Sequence, residues 1–449
     1  MKKHSVLKSV FQKWRQNRLN KTGLAVVLGA VCFILSLVPD LFFFVYLSAF
    51  LYWLVLLSSL KRLNSRNRIQ VILLLSVGVI CSGVAFVVKD VAFGDLARVL
   101  KANLGITSML VGVSFLSLLP NSKQSKGDVR KLKGALSTWV SVHLLGAVIN
   151  LSSVFLVGDR LQRTQPMTDG QLSVIVRALT TAGFWSPFFA SMAVAFSVAP
   201  SAVYLELLLV GIPVAMVALL FSMWELRRMN QLETFIGFPV SFTSLVFPVF
   251  LAAVVLFFHY FVFEALPILS IVTFVCPLSI LCLLLVRCGQ NKTVRRIEEH
   301  VSLRLPNMIN EISLFISAGF MSASVSLLIN LILGGNWTLF DTFGFWAAYA
   351  CYIAICLVAL AGLHPIVGIS LMSALVPFDG VNNTLLAFVC LSAWGVGTAI
   401  GPLSGINLSV AGKYQLDNIR LSRLNVRYGL FMSAIVAIAM AVLVQWLNI

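Results

Sequence analysis

The chain has 449 residues, is 59% hydrophobic and only 11% charged, and has a mean hydropathy of +0.96. A soluble domain carries about 25% charged residues, so this composition excludes an ordinary soluble enzyme and belongs to a chain solvated by lipid. The net charge of +17 does not indicate nucleic acid: the basic residues form neither one patch nor a stripe interleaved with aromatics.

In chain order, residues 1–23 read as a basic cytoplasmic arm without acidic residues, followed by a retained first helix and no small-residue cleavage site. A membrane-spanning helix needs about 20 mostly apolar residues. On that ruler, spans fall near 24–39, 41–60, 69–88, 104–120, 135–157, 202–224, 240–263, 266–286, 310–333, 384–410 and 428–447. Pro39-Asp40 splits the first two as a tight turn. Two further apolar stretches, 170–199 and 342–378, are broken in the middle. The expected fold is therefore an all-α polytopic membrane protein with about eleven transmembrane helices, two re-entrant helical hairpins and an internal repeat. The N-terminal helices occupy 24–134. A first repeat covers 135–230 with its hairpin at 170–199, and a second covers 231–449 with its hairpin at 342–378.

Basic loops set the orientation, because cytoplasmic loops collect Lys and Arg. They are Lys61 to Arg68, Lys123 to Lys133, Arg227-Arg228, Arg287 to Arg304 and Lys413 to Arg427. All face the cytoplasm if 170–199 and 342–378 each enter and leave on one face. The expected location is the cell inner membrane, multi-pass, with a cytoplasmic N-terminus.

The two broken stretches echo each other. One reads Ala182-Gly183-Phe184-Trp185-Ser186-Pro187, the other Ala361-Gly362-Leu363-His364-Pro365. Each precedes a span with its own break, Gly211-Ile212-Pro213 in the first case and Gly401-Pro402-Leu403-Ser404-Gly405 in the second. Proline removes a backbone donor, and an unsatisfied backbone group in lipid costs several kcal/mol. A helix broken at membrane depth thus survives only inside protein or beside a polar cavity. There it offers carbonyls to a cation or amides to an anion. Polar residues gather at these breaks. The candidate substrate and ion site is Thr180, Thr181, Gly183, Ser186, Pro187, Glu206, Gly362, His364, Pro365, Thr398, Gly401, Ser404 and Asn407. For any single Ser or Thr the alternative is a bond back to its own helix.

This layout, over roughly 135–447, resembles the ion transporter superfamily, which includes sodium-coupled dicarboxylate and citrate symporters, arsenite pumps and some sodium/proton antiporters. The resemblance implies two inverted repeats, each with a re-entrant hairpin whose tip meets a broken helix. At the tips this chain carries Phe184-Trp185-Ser186-Pro187 and Leu363-His364-Pro365. Inverted repeats require hairpins on opposite faces, whereas the basic loops place both on the outer face. A miscounted span between 225 and 286, parallel repeats or an accidental echo would each resolve the conflict.

Glu206 lies within a span, where a carboxyl is costly and marks function; reaching the headgroups is its alternative. Glu311 either takes part in coupling or favours a helix N-terminus. Arg177 either attracts an anionic substrate or snorkels. Among the intramembrane histidines, His143, His259 and His364, the last stands at a break. The eight cysteines form no CxxC pair and read as small buried hydrophobes. No HExxH, phosphate loop or Ser/His/Asp set is present. The expected activity is secondary active transport of a small, anionic solute coupled to sodium or protons, without enzymatic chemistry or a cofactor. The expected partners are the small-molecule substrate and the bilayer, with no nucleic acid and with a homodimer left open. The alternative is a lipid-linked saccharide flippase or polymerase of the bacterial envelope.

Overall fold

Several helices in this chain begin at a polar side chain that caps the first turn. The computed structural model describes residues 20–88, 91–119, 129–163, 165–239, 243–334, 337, 339–376 and 381–449. Most of the basic arm 1–23, and Lys123 and Lys126 of the second basic loop, lie outside the described residues.

In order the helices are α1 (Lys21–Leu35), α2 (Phe44–Ser59), α3 (Ser65–Val88), α4 (Phe93–Leu100), α5 (Leu104–Ser114), α6 (Lys131–Ile149) and α7 (Leu151–Leu161). There follow α8 (Asp169–Ala182), α9 (Ala190–Val198), α10 (Tyr204–Arg228), α11 (Thr243–Phe257), α12 (Ile268–Cys288) and α13 (Gln290–Glu299). The last are α14 (Ile309–Leu333), α15 (Phe345–Leu360), α16 (Pro365–Leu375), α17 (Asn383–Ile400), α18 (Gly405–Tyr414) and α19 (Asn418–Leu447). Strands β1 (Val129–Arg130) and β2 (Ile236–Gly237) form one short antiparallel pair. Among the described residues nine helices are long and apolar enough to cross a membrane, with shorter apolar helices beside them. The protein is an all-α polytopic membrane protein.

The caps are specific. Thr168 and Gln171 close a capping box at α8. Asn382 caps α17, Ser404 caps α18 and Asp417 caps α19. Burial then sorts the helices. The apolar stretch of the span Asn383–Tyr414 is 100% buried, against 28% for α3 and 22% for α19. Helix α17 is therefore the central post, and α3 and α19 present broad apolar faces outward, as lipid-facing helices do.

Contacts between connections define two ends of the bundle. At the basic end, Arg62 reaches Thr22 (3.0 Å), the Asn64 amide donates to Asn310 Oδ1 (3.1 Å) and Ser114 meets His300 (3.0 Å). The Lys131 amide donates to the Phe235 carbonyl (2.8 Å) and Gln171 Nε2 to the Ile236 carbonyl (2.8 Å). Lys413 pairs with Asp159 (2.7 Å) and Arg420 with Asp169 (2.7 Å). At the opposite end, the Ser201 amide donates to Asn383 Oδ1 (3.3 Å) and Thr384 Oγ1 donates to Glu206 (2.7 Å).

These anchors reassign the first fold-back. Helix α6 begins at the basic end beside Phe235, and α7 returns there, with Arg160 over the Phe238 ring at 5.3 Å. Helices α6 and α7 pack against each other. The stretch 135–157, expected to be a crossing span, is thus a helical hairpin with its tip at Asn150. Residues 170–199, expected to be a hairpin, do not fold back. Helix α8 starts at the basic end, α9 leads to Ser201 at the opposite end, and the two do not lie side by side. The hairpin expected at 342–378 does fold back: α15 and α16 pack together. Both of its outer ends lie at the opposite end, after α14 and before α17.

One further expectation fails locally. Helix α10 continues through Pro213 without a break. Proline removes a single helical bond, and neighbours Val214, Ala215 and Ala218 stay buried on either side of the next turn.

Candidate functional site

Two junctions bring a hairpin tip against a break in another helix. The first joins the α6–α7 tip to residues 183–189, between α8 and α9. At the tip, Asn150 holds φ 48° and ψ −133°, a conformation that glycine adopts readily and L side chains resist. Its Nδ2 donates to the Phe188 carbonyl (3.3 Å). Ser186 donates its hydroxyl to the Ala147 carbonyl in a short bond and accepts from the Phe188 amide at 3.2 Å. Ser191 donates to the Gly183 carbonyl (2.7 Å), and Tyr204 to the Trp185 carbonyl (3.0 Å). Gly211 of α10 backs this break, where a Cβ would collide with the Phe184 carbonyl.

His143 of α6 clamps the same junction. Trp185 Nε1 donates to its Nε2 (3.0 Å). An indole N–H can only donate, so Nδ1 carries the imidazole proton and donates to the Ala178 carbonyl (2.9 Å). The ring also stacks on Trp139 at 4.3 Å. Thr181 lies 3.2 Å from Nδ1 but bonds back to the Arg177 carbonyl (2.7 Å), as Thr180 does (3.2 Å). Pro187 is buried within the break.

The second junction joins the α15–α16 tip to the break between α17 and α18. Gly362 turns the chain with φ 96°, and Gln70 of α3 spans the tip. Its Nε2 faces the Gly362 carbonyl (3.4 Å), while its Oε1 accepts from the His364 amide (3.3 Å). His364 Nδ1 caps α16 by accepting from the Ile366 amide (3.2 Å), and its half-buried ring meets Trp394 edge-on at 4.9 Å. Pro365 packs against Gly397 of α17.

The freed carbonyls at this break have internal donors. Asn407 Nδ2 donates to Ala399 (3.0 Å) and Gly401 (2.9 Å). Ser422 donates to Ile400 in a short bond, and Asn418 Nδ2 to Pro402 (2.8 Å). Ser404 accepts from the Asn407 amide (3.2 Å). Unpartnered buried carbonyls are thereby avoided. One acceptor stands apart: Asn407 Oδ1 is buried and has no donor among the described residues. Thr398 bonds back to Trp394 (2.7 Å).

Helix α17 links the junctions. Phe184 of the first break packs on Gly395, and His364 of the second tip meets Trp394. Both breaks therefore touch the same helix, on which Thr398 lies and which Gly401 ends. Glu206 does not join them: it sits in the first turn of α10 at the end of the bundle, bonded to Thr384.

Arg177 is also committed elsewhere. It is buried, with Nη2 2.7 Å from Glu225, Nε 2.8 Å from Asn425 Oδ1, and its guanidinium 4.8 Å from the Tyr428 ring centre. Its charge is paired with Glu225 inside the bundle. Asn150, Gln70, Asn418 and Ser422 escaped the sequence reading, which noted His143 only as an intramembrane histidine. Asn150-Leu151-Ser152-Ser153, a polar interruption in an apolar run, is the signal that could have found the first tip.

A cavity of about 230 Å³ opens beside the junctions, between α4–α5, α9, α14 and α16.

No family model matches the sequence, and no curated protein matches it. Among solved structures the chain is similar to the Alcanivorax borkumensis YdaH transporter, whose crystal structure reveals an unusual topology. That likeness has a TM-score of 0.36 and 14% identity over 84% of this chain and 85% of that one.

Proposed function

We propose that this protein is a secondary active transporter of a small polar solute, coupled to an ion gradient. The observation that carries the reading is the pair of opposed tip-to-break junctions on one buried helix. Hairpin α6–α7 enters from the basic end and meets the α8–α9 break, whereas α15–α16 enters from the other end and meets the α17–α18 break. With the basic end facing the cytoplasm, these are re-entrant hairpins from opposite faces. The elements α6 to α10 then correspond to α15 to α19 as inverted repeats. That is what the resemblance to the ion transporter superfamily implies, and it removes the conflict between repeat symmetry and loop charge. Two related halves that can exchange roles across the bilayer suit alternating access.

Asn407 supports coupling to a cation. Its two amide donors are fixed on carbonyls, so Oδ1 is a placed oxygen acceptor with no donor among the described residues. Sodium takes such oxygens, and sodium is the coupling ion this residue favours over the proton. The anionic solute expected from Arg177 loses its basis in the Arg177–Glu225 pair. The same pairing disfavours a flippase for lipid-linked saccharides, which would need an unpaired cationic cavity.

The test is uptake by purified protein reconstituted in vesicles, with imposed sodium or proton gradients and a panel of small solutes. Accumulation above the external concentration, abolished when the gradient is collapsed, is the expected result. Simple equilibration, or no uptake under any gradient, would contradict the proposal.

A further inference from the structure

We infer that the cleft between α9, α14 and α16 binds a small solute of zero net charge through hydroxyl and amide groups. This rests on the transport reading for its purpose but not for its chemistry. The 230 Å³ cavity is smaller than the 300–1,000 Å³ typical of drug-sized ligands, which limits the occupant to a compact metabolite. Its wall is unusual for a membrane bundle. Ser326 and Asn330 from α14 face Ser370 from α16, with Asn103 at the α4–α5 break.

Some polar groups here serve the fold. Ser322 and Ser373 bond to each other across the cleft (2.9 Å), and Asn103 donates to the Phe315 carbonyl (2.9 Å). Others do not. The side chains of Ser326, Ser370 and Asn330 make no hydrogen bond to the protein among the described residues; Asn330 is exposed and Ser326 half-buried. Their polar atoms open onto the cleft and are not sealed inside the protein, so they can exchange water for the hydroxyl or amide groups of an occupant.

Charge then selects the class. The charged residues on the described wall are Asp95 and Arg98, which pair with each other at 3.4 Å; the Arg98 side chain is 80% exposed at the rim. The wall is neutral overall, and bringing a carboxylate out of water without a counter-charge costs several kcal/mol. A net-neutral solute carries no such penalty. It is either uncharged, with hydroxyls or amides, or a zwitterion whose two charges match the Asp95–Arg98 pair.

The test uses the full chain with Ser326→Cys, probed by a membrane-impermeant thiol reagent and compared with unsubstituted protein. Protection is measured with glycerol, serine and succinate, and uptake of each is measured in parallel. Protection by glycerol or serine but not by succinate is expected, and which of the two protects separates uncharged from zwitterionic occupants. Paired Ser326→Ala and Ser370→Ala should raise the half-saturating concentration of that solute about tenfold while Ser58→Ala, whose hydroxyl bonds within its own helix away from the cleft, leaves it unchanged. Protection by succinate alone, or by none of the three, overturns the inference. Protection by a neutral solute without uptake of any solute would leave the cleft standing and defeat the transport reading instead.

Discussion

The Asn407 side chain bridges the carbonyls of Ala399 and Gly401 across the break between α17 and α18, at 3.0 and 2.9 Å. The same amide thus stitches the break and presents Oδ1 as an unserved acceptor. Asn407→Leu removes two buried hydrogen bonds, and about 2–3 kcal/mol of stability should go with them. If Oδ1 serves sodium, sodium should raise the thermal unfolding midpoint of the parent protein more than potassium does, and the variant should lose that difference. An equal sodium effect in both proteins would remove Asn407 from the ion site.

Arg177 and Glu225 form a buried pair between α8 and α10. Losing one partner strands the other charge in the bundle, so Arg177→Met alone or Glu225→Met alone should destabilise by about 3–5 kcal/mol. The double variant should recover much of that loss, because a buried pair replaced by apolar groups of similar size is often close to neutral. Thermal unfolding of the four proteins gives the coupling. Additive losses would show that the two charges do not depend on each other.

His364 separates two roles. As the cap of α16 it needs only an acceptor for the Ile366 amide. Asn is a good N-cap residue and Ala is not, with a difference of about 1 kcal/mol. His364→Asn should therefore keep the stability that His364→Ala loses. Transport is expected to fall in both variants if the imidazole contacts the solute or ion, and to survive in His364→Asn if the ring only caps. His259→Ala, away from either junction, should change transport much less.

Asn150 tests the first tip. Its backbone sits at φ 48° and ψ −133°, which glycine adopts freely and a β-branched residue does not. Asn150→Gly should cost no more than its single bond to Phe188, about 1 kcal/mol. Asn150→Val should add backbone strain of about 1–3 kcal/mol. A thermal midpoint for Asn150→Val equal to that of Asn150→Gly would mean that the tip is not held as described.

The break positions were legible because Gly and Pro act locally. Ala182 and Leu360 end their helices, and Ala190 and Pro365 begin the next ones, so the breaks at 183–189 and 361–364 overlap the Ala182–Pro187 and Ala361–Pro365 motifs. The direction of travel was not legible. Apolar composition reports contact with lipid or core, and α6–α7 is as apolar in sequence as a crossing helix. Whether a chain turns back depends on distant partners, here Phe235 and Phe238 for α6 and α7, which no local pattern reveals. The same limit applied to charge. Arg177 read as a free cation because Glu225 lies 48 positions away in sequence, and only the fold brings them together. Pro213 misled in the opposite sense: the motif is local, but the helix tolerates one missing bond when its neighbours hold it.

The opposed entry of the two hairpins carries the functional account, and thiol accessibility in intact cells tests it most directly. Gln162 follows α7 at the basic end, and Thr342 precedes α15 at the other. Single cysteines at these positions, treated with a membrane-impermeant reagent and compared with unsubstituted protein, should behave oppositely. Thr342→Cys should react from outside the cell, and Gln162→Cys should react only after the membrane is opened. Reaction of Gln162→Cys from outside would make 135–157 a crossing helix, return the first hairpin to 170–199, and contradict the inverted pair.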